Sequence, residues 1–179
     1  MKLPLAAALL LIPLFAQASG SGGGGHLATT RTGQLHEGYA ILYDLAEQEK
    51  NANLIFVMKT GEPATKEVTK EIAELYGKID HDLSGWADDD KFDLQATHLP
   101  AIEVDTRAAL NSAHTHDLFA TKGDPFDHLF LILQWQSLFY GAYLLENLQK
   151  DETNPSRLKA LAGYEHEMRR LLERVSEKI

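Results

Sequence analysis

Residues 124–149, DPFDHLFLILQWQSLFYGAYLLENLQ, decide the fold because no other stretch beyond the first 18 residues is apolar on nearly every side. The run 129–145 carries no charge, and a helix that is apolar all round has to be enclosed by other helices or by lipid. Asp124 can cap free backbone N–H groups, Pro125 suits a first turn, and Asp127 suits the positive end of a helix. The stretch therefore predicts a helix at the centre of a helical bundle.

A membrane-spanning helix is the alternative for the same stretch. The run 129–145 lies at the lower limit of the length that a span needs. Gln134, Gln136 and Ser137 lie in its middle, where lipid would leave their polar groups poorly satisfied. These residues favour a buried bundle helix.

The first 18 residues, MKLPLAAALLLIPLFAQA, have the pattern of a secretory signal peptide. Lys2 precedes an apolar run, and Ala16-Gln17-Ala18 is a typical cleavage site. We therefore expect a periplasmic or secreted protein that keeps no stable membrane anchor after cleavage.

The rest of the chain divides into a leader and one domain. Residues 19–33 begin with SGSGGGG, which predicts a Gly/Ser-rich flexible leader. Residues 34–179 contain no second linker or internal repeat, and they are enough for one domain with its own core. The sequence predicts a single helical-bundle domain over these residues.

The composition argues against several classes of function. The chain has no cysteine, which excludes disulfides, thiolate metal sites and covalently attached haem. Its net charge of −9 argues against nucleic acid or anionic membranes as partners. No nucleophile elbow or phosphate-binding loop occurs. The sequence does not decide whether the protein is an enzyme, although it favours a non-catalytic role.

Prolines mark where most of the helices begin. Pro63, Pro100, Pro125 and Pro155 each precede a stretch with helical spacing, a position that suits the fixed φ of proline. One further helix comes before them, so we predict an all-α, four- to five-helix up-and-down bundle. The predicted spans are 34–58, 63–83, 100–121, 124–149 and a last helix that opens at Asn154-Pro155.

The connection between the second and third predicted helices, residues 84–99, is long for a compact bundle. At about 3.3 Å per residue it could cross the whole bundle, which would make those two helices parallel. A crossing would bring five histidines toward one end: His36, His81, His114, His116 and His128. A connection that stays at one end would separate the first two from the others.

This layout resembles that of small exported ferritin-like four-helix-bundle proteins of unassigned function, over about residues 34–179. The segments that carry the resemblance are LYDLAEQEKNA (42–52) and QWQSLFYGAYLLENL (134–148). The resemblance implies a metal pair held by a Glu on each of two helices and Glu-x-x-His on the other two. No glutamate here has a histidine three residues later, so the resemblance assigns no ligands.

Histidines and aspartates gather around the predicted turn between the third and fourth helices. The residues are His114, His116, Asp117, Asp124 and His128, and imidazole with carboxylate suits transition metals. Zinc, copper, iron or manganese are the candidate ions. His114 and His116 point about 200° apart on a regular helix, so one ion cannot bind both unless the helix frays. Solvated histidines near a turn are the alternative.

Four charged residues lie beside predicted apolar faces. The favoured expectation for Glu49 and Glu165 is that they flank those faces and reach solvent, because long polar side chains can extend to the surface. The alternative is that they are buried, in which case each carboxylate needs a partner or a metal ion. Glu103 and Arg107 are spaced to form a surface pair. If their face of the third helix turns inward instead, they line the interior together with Leu110, His114 and Leu118. The other candidate face contains Ile102, Thr106, Ala109, Ala113 and His116.

Two hypotheses for the function remain. The first is a non-catalytic module that binds an unknown protein or small ligand through its acidic surface or a pocket at the bundle end. The second is a transition-metal-binding protein that uses histidines and carboxylates, with His36 and His81 included if the connection crosses. The missing Glu-x-x-His spacing favours the first, and the oligomeric state stays open.

Overall fold

The computed structural model describes residues 30–95 and 99–179. Within these ranges the protein is all-helical, which confirms the all-α part of the predicted fold class. The elements are α1 (Arg31–Glu49), a 3₁₀ helix (Ala52–Val57), α2 (Pro63–Asp90), α3 (Ala101–Ala120), α4 (Asp124–Asp151) and α5 (Pro155–Ser176). The predicted signal peptide, residues 1–18, and nearly all of the predicted leader lie outside the described residues.

Four helices, α1, α2, α4 and α5, form the bundle, and each packs antiparallel to its neighbours. The end of α2 meets the start of α5, where Arg157 Nη1 binds Asp90 Oδ2 at 2.5 Å. The start of α1 meets the end of α4, where Arg31 Nε binds Asp151 Oδ1 at 2.7 Å. We call this end the lower end, and the end at which α2 and α4 begin the upper end.

The third helix, α3, lies on the outside of the bundle. Among its residues Leu118 alone is buried, and it packs in the cluster that contains Phe126 and Phe130. Lys59 Nζ donates to the carbonyl oxygens of Phe119 at 2.7 Å and Thr121 at 2.8 Å. These bonds hold the end of α3 at the upper end. The start of α3 therefore lies toward the lower end, where α2 ends, and α2 and α3 are antiparallel.

The first predicted helix, 34–58, is wrong at both ends. It begins at Arg31, inside the predicted leader, because the Thr30 hydroxyl accepts from Gly33 N at 3.1 Å and caps it. It ends at Glu49, and the chain continues as the 3₁₀ helix. In the 3₁₀ helix Ala52 and Ile55 are buried in the apolar cluster at the upper end, which also contains Phe126 and Phe130.

The second helix runs to Asp90, so the prediction that it ends at residue 83 is also wrong. Trp86 packs against the larger of the two buried apolar clusters, which we call the main cluster. This contact continues the inner face of α2 beyond Leu83, its last buried residue. Near the end of this helix Asp88 and Asp89 are exposed to solvent. Lys91 ends the helix in the left-handed conformation, with φ 59°. The connection therefore starts at Lys91 rather than at residue 84.

The start of α4 differs from prediction in its cap. Gly123 occupies the cap position with φ 61°, and Asp124 makes no capping hydrogen bond because it is already the first helical residue. Asp127 instead bridges two elements, since its Oδ1 accepts from Glu62 N at 3.0 Å. This contact fixes the start of α4 against the start of α2.

The core surrounds one side of α4 and leaves the other open. Leu138, Ala142 and Leu145 are buried in the main cluster, whereas Phe139 and Tyr143 remain 41% and 46% exposed. The predicted enclosure of this helix thus holds for one face only. No helix in the described ranges has the length and apolar character needed to cross a bilayer.

Candidate functional site

A pocket of about 220 Å³ opens at the lower end of the bundle, where α1 begins and α4 turns into α5. Its walls come from α1, the end of α2, and the link and first turn around Asn154. The lining residues are Arg31, Thr32, Leu35, His36, Asp90, Asp151, Glu152, Thr153, Asn154 and Arg157. We call it the bundle-end pocket.

Two ion pairs line the bundle-end pocket. Arg31 binds Asp151 at 2.7 Å and also donates to the Lys150 carbonyl oxygen at 2.6 Å. Arg157 binds Asp90, and this contact holds the pKa of the aspartate below its usual value. The Arg157 guanidinium also lies 5.5 Å from the centroid of the Trp86 ring. Each arginine is therefore held by at least two groups.

Glu152 holds the back of the pocket in place. The Tyr39 hydroxyl donates to one carboxylate oxygen, and the backbone N–H groups of Thr153 and Asn154 donate to the other, both at 2.6 Å. Burial and this carboxylate raise the pKa of Tyr39 above its usual value, so the phenol remains a donor. The Asn154 side chain in turn caps α5 by accepting from Ser156 N at 2.9 Å.

His36 lies among these charged groups. Its ring stacks on Phe92 with 4.2 Å between centroids and 15° between planes, which fixes the plane of the imidazole. Nothing in the lining resembles a nucleophile with its general base. The groups present can recognise a small molecule through hydrogen bonds and charge, so the pocket is suited to binding.

A second polar cluster lies in the centre of the bundle. Glu49 is 1% exposed, and its Oε2 accepts from Gln134 Nε2 at 3.0 Å. The Tyr76 hydroxyl and Ser137 Oγ lie 2.9 Å apart beside it. Burial raises the pKa of Glu49 to about 7, although the Ser137 hydroxyl and the Gln134 amide oppose the shift.

The expectation that Glu49 reaches solvent is therefore wrong. The reason lies in the tertiary structure, because α2 and α4 both pack over the last turn of α1. Gln134 and Ser137 were visible as polar residues within an apolar helix, and that was a signal for a buried polar partner. Nothing in the sequence marked Tyr76 as a member of the same cluster.

Glu165 does lie at the edge of the apolar face. Its carboxylate accepts from Gln149 Nε2 and from Arg169 Nε, each at 2.7 Å. Burial tends to raise its pKa, but these hydrogen bonds outweigh it and keep the pKa below the usual value. Glu165 is thus an ionised residue in a surface network.

The face of α3 that contains Glu103 and Arg107 turns toward the bundle. The two side chains form a 2.6 Å ion pair, and Arg107 is 11% exposed. Burial raises the pKa of Asp44 on α1 to about 6, while the charge of Arg107 lowers it. The layer between α3 and the bundle is therefore polar. It includes buried atoms without hydrogen-bond partners on Gln48, Asn111 and His114.

The histidines predicted as metal ligands divide between the two ends. His36 and His81 lie toward the lower end, and His114, His116 and His128 lie toward the upper end, as the antiparallel course of α2 and α3 requires. Asp117 and Asp124 are exposed at that upper end. His116 lies 3.3 Å from Asp117, with its side chain 81% exposed.

These upper residues do not form a cluster in the structure. Within residues 30–95 and 99–179, no three or more histidine, aspartate or glutamate side chains converge as a metal site would require. Metal binding therefore stays a prediction from the sequence. Another, more open groove lies between α2 and α5 and contains His81 and Tyr164.

The fold and the pocket define an all-helical bundle protein with a polar pocket at one end. Comparisons with protein families, with curated proteins and with solved structures each found no match for this chain.

Proposed function

We propose that this protein is an exported, non-catalytic binding module that takes a small polar ligand in the bundle-end pocket. The observation that carries the proposal is the alternation of charge around one opening. A space of about 220 Å³ is lined by Arg31, His36 and Arg157 together with Asp90, Asp151 and Glu152. A ligand with both an anionic and a cationic group matches this pattern, and free amino acids have that chemistry at that size.

The walls favour binding because they are already ordered. Tyr39, Asn154 and the two ion pairs hold the polar groups in place before a ligand arrives. Preformed walls reduce the conformational entropy that a binding site loses on complex formation. The anionic group of a zwitterion could bind one of the arginines while its cationic group binds one of the aspartates, so that every charge in the pocket keeps a partner.

The proposal also includes that the protein is exported and that its bundle has a ferritin-like layout. The signal-peptide pattern of residues 1–18 supports export. The bundle helices α2 and α4 run parallel, since both are antiparallel to α1, and they are joined through a long segment that contains α3. This arrangement supports a ferritin-like layout in which the crossing segment is itself a helix.

Calorimetric titration of residues 19–179 with a panel of free L-amino acids tests the ligand class. We expect at least one to bind with 1:1 stoichiometry. His36→Ala should weaken that binding by about tenfold, the loss of one good polar contact. His81→Ala is the matched control, because it removes a histidine from the separate groove, and it should leave the affinity unchanged. No binding at millimolar concentration, or equal affinities for wild type and His36→Ala, would refute the proposal.

Transition-metal binding at His114 and His128 is the alternative function. Elemental analysis of the exported protein without a histidine tag tests it directly. Near-stoichiometric metal that is lost in the His114→Ala/His128→Ala double variant would favour the alternative.

A further inference from the structure

Glu49 is surrounded by uncharged groups on every packed side. Tyr76 faces it from α2, and Gln134 and Ser137 face it from α4. Met168 of α5 and Tyr76 pack against Gly141 of α4 in the same layer of the core. Among the buried residues of the described ranges there is no lysine, arginine or histidine. An ionised Glu49 would thus be a charge in the core without a counter-ion, which is strongly unfavourable.

Two oxygen atoms of this cluster lack a hydrogen-bond partner, and both are acceptors when Glu49 is ionised. Gln134 Nε2 donates to Glu49 Oε2 at 3.0 Å, which leaves Glu49 Oε1 and Gln134 Oε1. Both are buried, and neither has a hydrogen-bond partner. A carboxylate oxygen and an amide oxygen are both acceptors, so they cannot satisfy each other. A protonated carboxyl group can donate from Oε1 to the amide oxygen.

We propose that Glu49 is a neutral carboxylic acid in the folded protein, paired with the Gln134 side-chain amide through two hydrogen bonds, so that folding takes up one proton. The O–H of the acid donates to the amide oxygen, and the amide N–H donates to the other acid oxygen. This pair satisfies both orphan atoms at once, and it joins the last residue of α1 to the middle of α4. It is independent of the bundle-end pocket.

The direction of the pH dependence follows from the proton count. The pKa of Glu49 rises from an ordinary 4.5 to about 7 in the folded protein, so the folded state binds the proton more tightly than the unfolded state does. The stabilisation is complete below about pH 4.5 and is lost as the pH rises toward 7. The unfolding equilibrium constant should increase by up to about tenfold per pH unit in this window.

Urea unfolding of wild type and Glu49→Gln between pH 4 and pH 8 tests the proposal. Glutamine keeps the shape and forms the same two hydrogen bonds as an amide pair, but it cannot titrate. We expect the unfolding constant of the variant to increase less than that of wild type between about pH 4.5 and 7, and the difference to be clearest between pH 6 and 7, above the pKa of Asp44. Glu165→Gln is the matched control, and it should retain the wild-type increase because Glu165 is ionised in a partly exposed network.

A second measurement does not depend on the fold of a variant. Carbon-13 NMR of the side-chain carboxyl groups of wild type should show one glutamate that titrates near pH 7, well above the ordinary value of about 4.3. The competing arrangement is a water molecule that donates to both Glu49 Oε1 and Gln134 Oε1. In that arrangement Glu49 would be ionised, and no such titration would occur. Equal pH profiles for wild type and Glu49→Gln, or no glutamate carboxyl group that titrates above about pH 5.5, would overturn the proposal.

Discussion

Tyr39 on α1 donates a hydrogen bond to the carboxylate of Glu152, the residue that follows α4, and so ties the first helix of the bundle to the link between α4 and α5. The other oxygen of this carboxylate receives the N–H groups of Thr153 and Asn154. One side chain thus organises the α4–α5 link and the back of the bundle-end pocket. The pocket is a consequence of how two helix ends are joined.

Tyr39→Phe removes the phenol that holds Glu152. Because this leaves a largely buried charged acceptor short of one donor, we expect a loss of about 1.5–3 kcal/mol in the free energy of unfolding. Urea denaturation measures it. Tyr43→Phe is the control, since the Tyr43 hydroxyl bonds to the exposed Glu47 at 3.2 Å, and it should cost less than about 0.5 kcal/mol. Equal losses would show that the Glu152 contact contributes little.

Gly141→Ala tests the close approach of α4 to α5. An alanine Cβ would lie 2.8 Å from Met168 Sδ and 3.2 Å from the Tyr76 hydroxyl oxygen, and Met168 is fully buried and cannot swing into solvent. We expect a net loss of about 1–3 kcal/mol from overpacking. Thermal and urea unfolding measure it.

Gly77→Ala should act in the opposite direction. The Cβ would meet nothing within 4 Å, so the main effect is the lower conformational entropy of the unfolded chain. We expect a gain of about 0.5–1 kcal/mol. If both glycine variants shifted stability in the same direction, the packing difference between the two sites would be contradicted.

The outer helix α3 should open more readily than the rest. With Leu118 as its only buried residue, it loses little apolar contact when it detaches. Hydrogen exchange followed by mass spectrometry should show the amides of 101–113 exchanging on the order of tenfold or more faster than those of α4. Equal protection would mean that the polar layer around Arg107 holds α3 as firmly as a core contact.

Asp44→Asn should remove a second, smaller pH dependence. The pKa of Asp44 rises from 3.8 to about 6, so the stabilisation of its neutral form is present below pH 3.8 and is lost as the pH rises toward 6. Urea unfolding should find the variant similar to wild type near pH 4 and more stable at pH 7. A variant less stable at pH 7 would show that the charge of Arg107 outweighs burial.

Much of the bundle could be predicted from local rules. Pro63, Pro125 and Pro155 occupy first turns, and the apolar spacing of α2 puts Val68, Ile72 and Ile79 in the core, because local sterics and periodic burial act within one helix. For the pocket, the sequence predicted only that one could lie at the end of the bundle, and it did not predict which residues line it. Its members come from three distant segments, and no local pattern relates Arg31 to Asp151 or Asp90 to Arg157.

The sequence by itself determined that the domain is helical and where most of its helices begin, since proline geometry and apolar periodicity depend on neighbours a few residues apart. Only the tertiary structure decided that Glu49 is buried against Gln134, that α3 lies outside the bundle, and that the histidines separate. Burial depends on which surfaces meet, and a helix with two plausible faces acquires an inner face only when its neighbours pack against it.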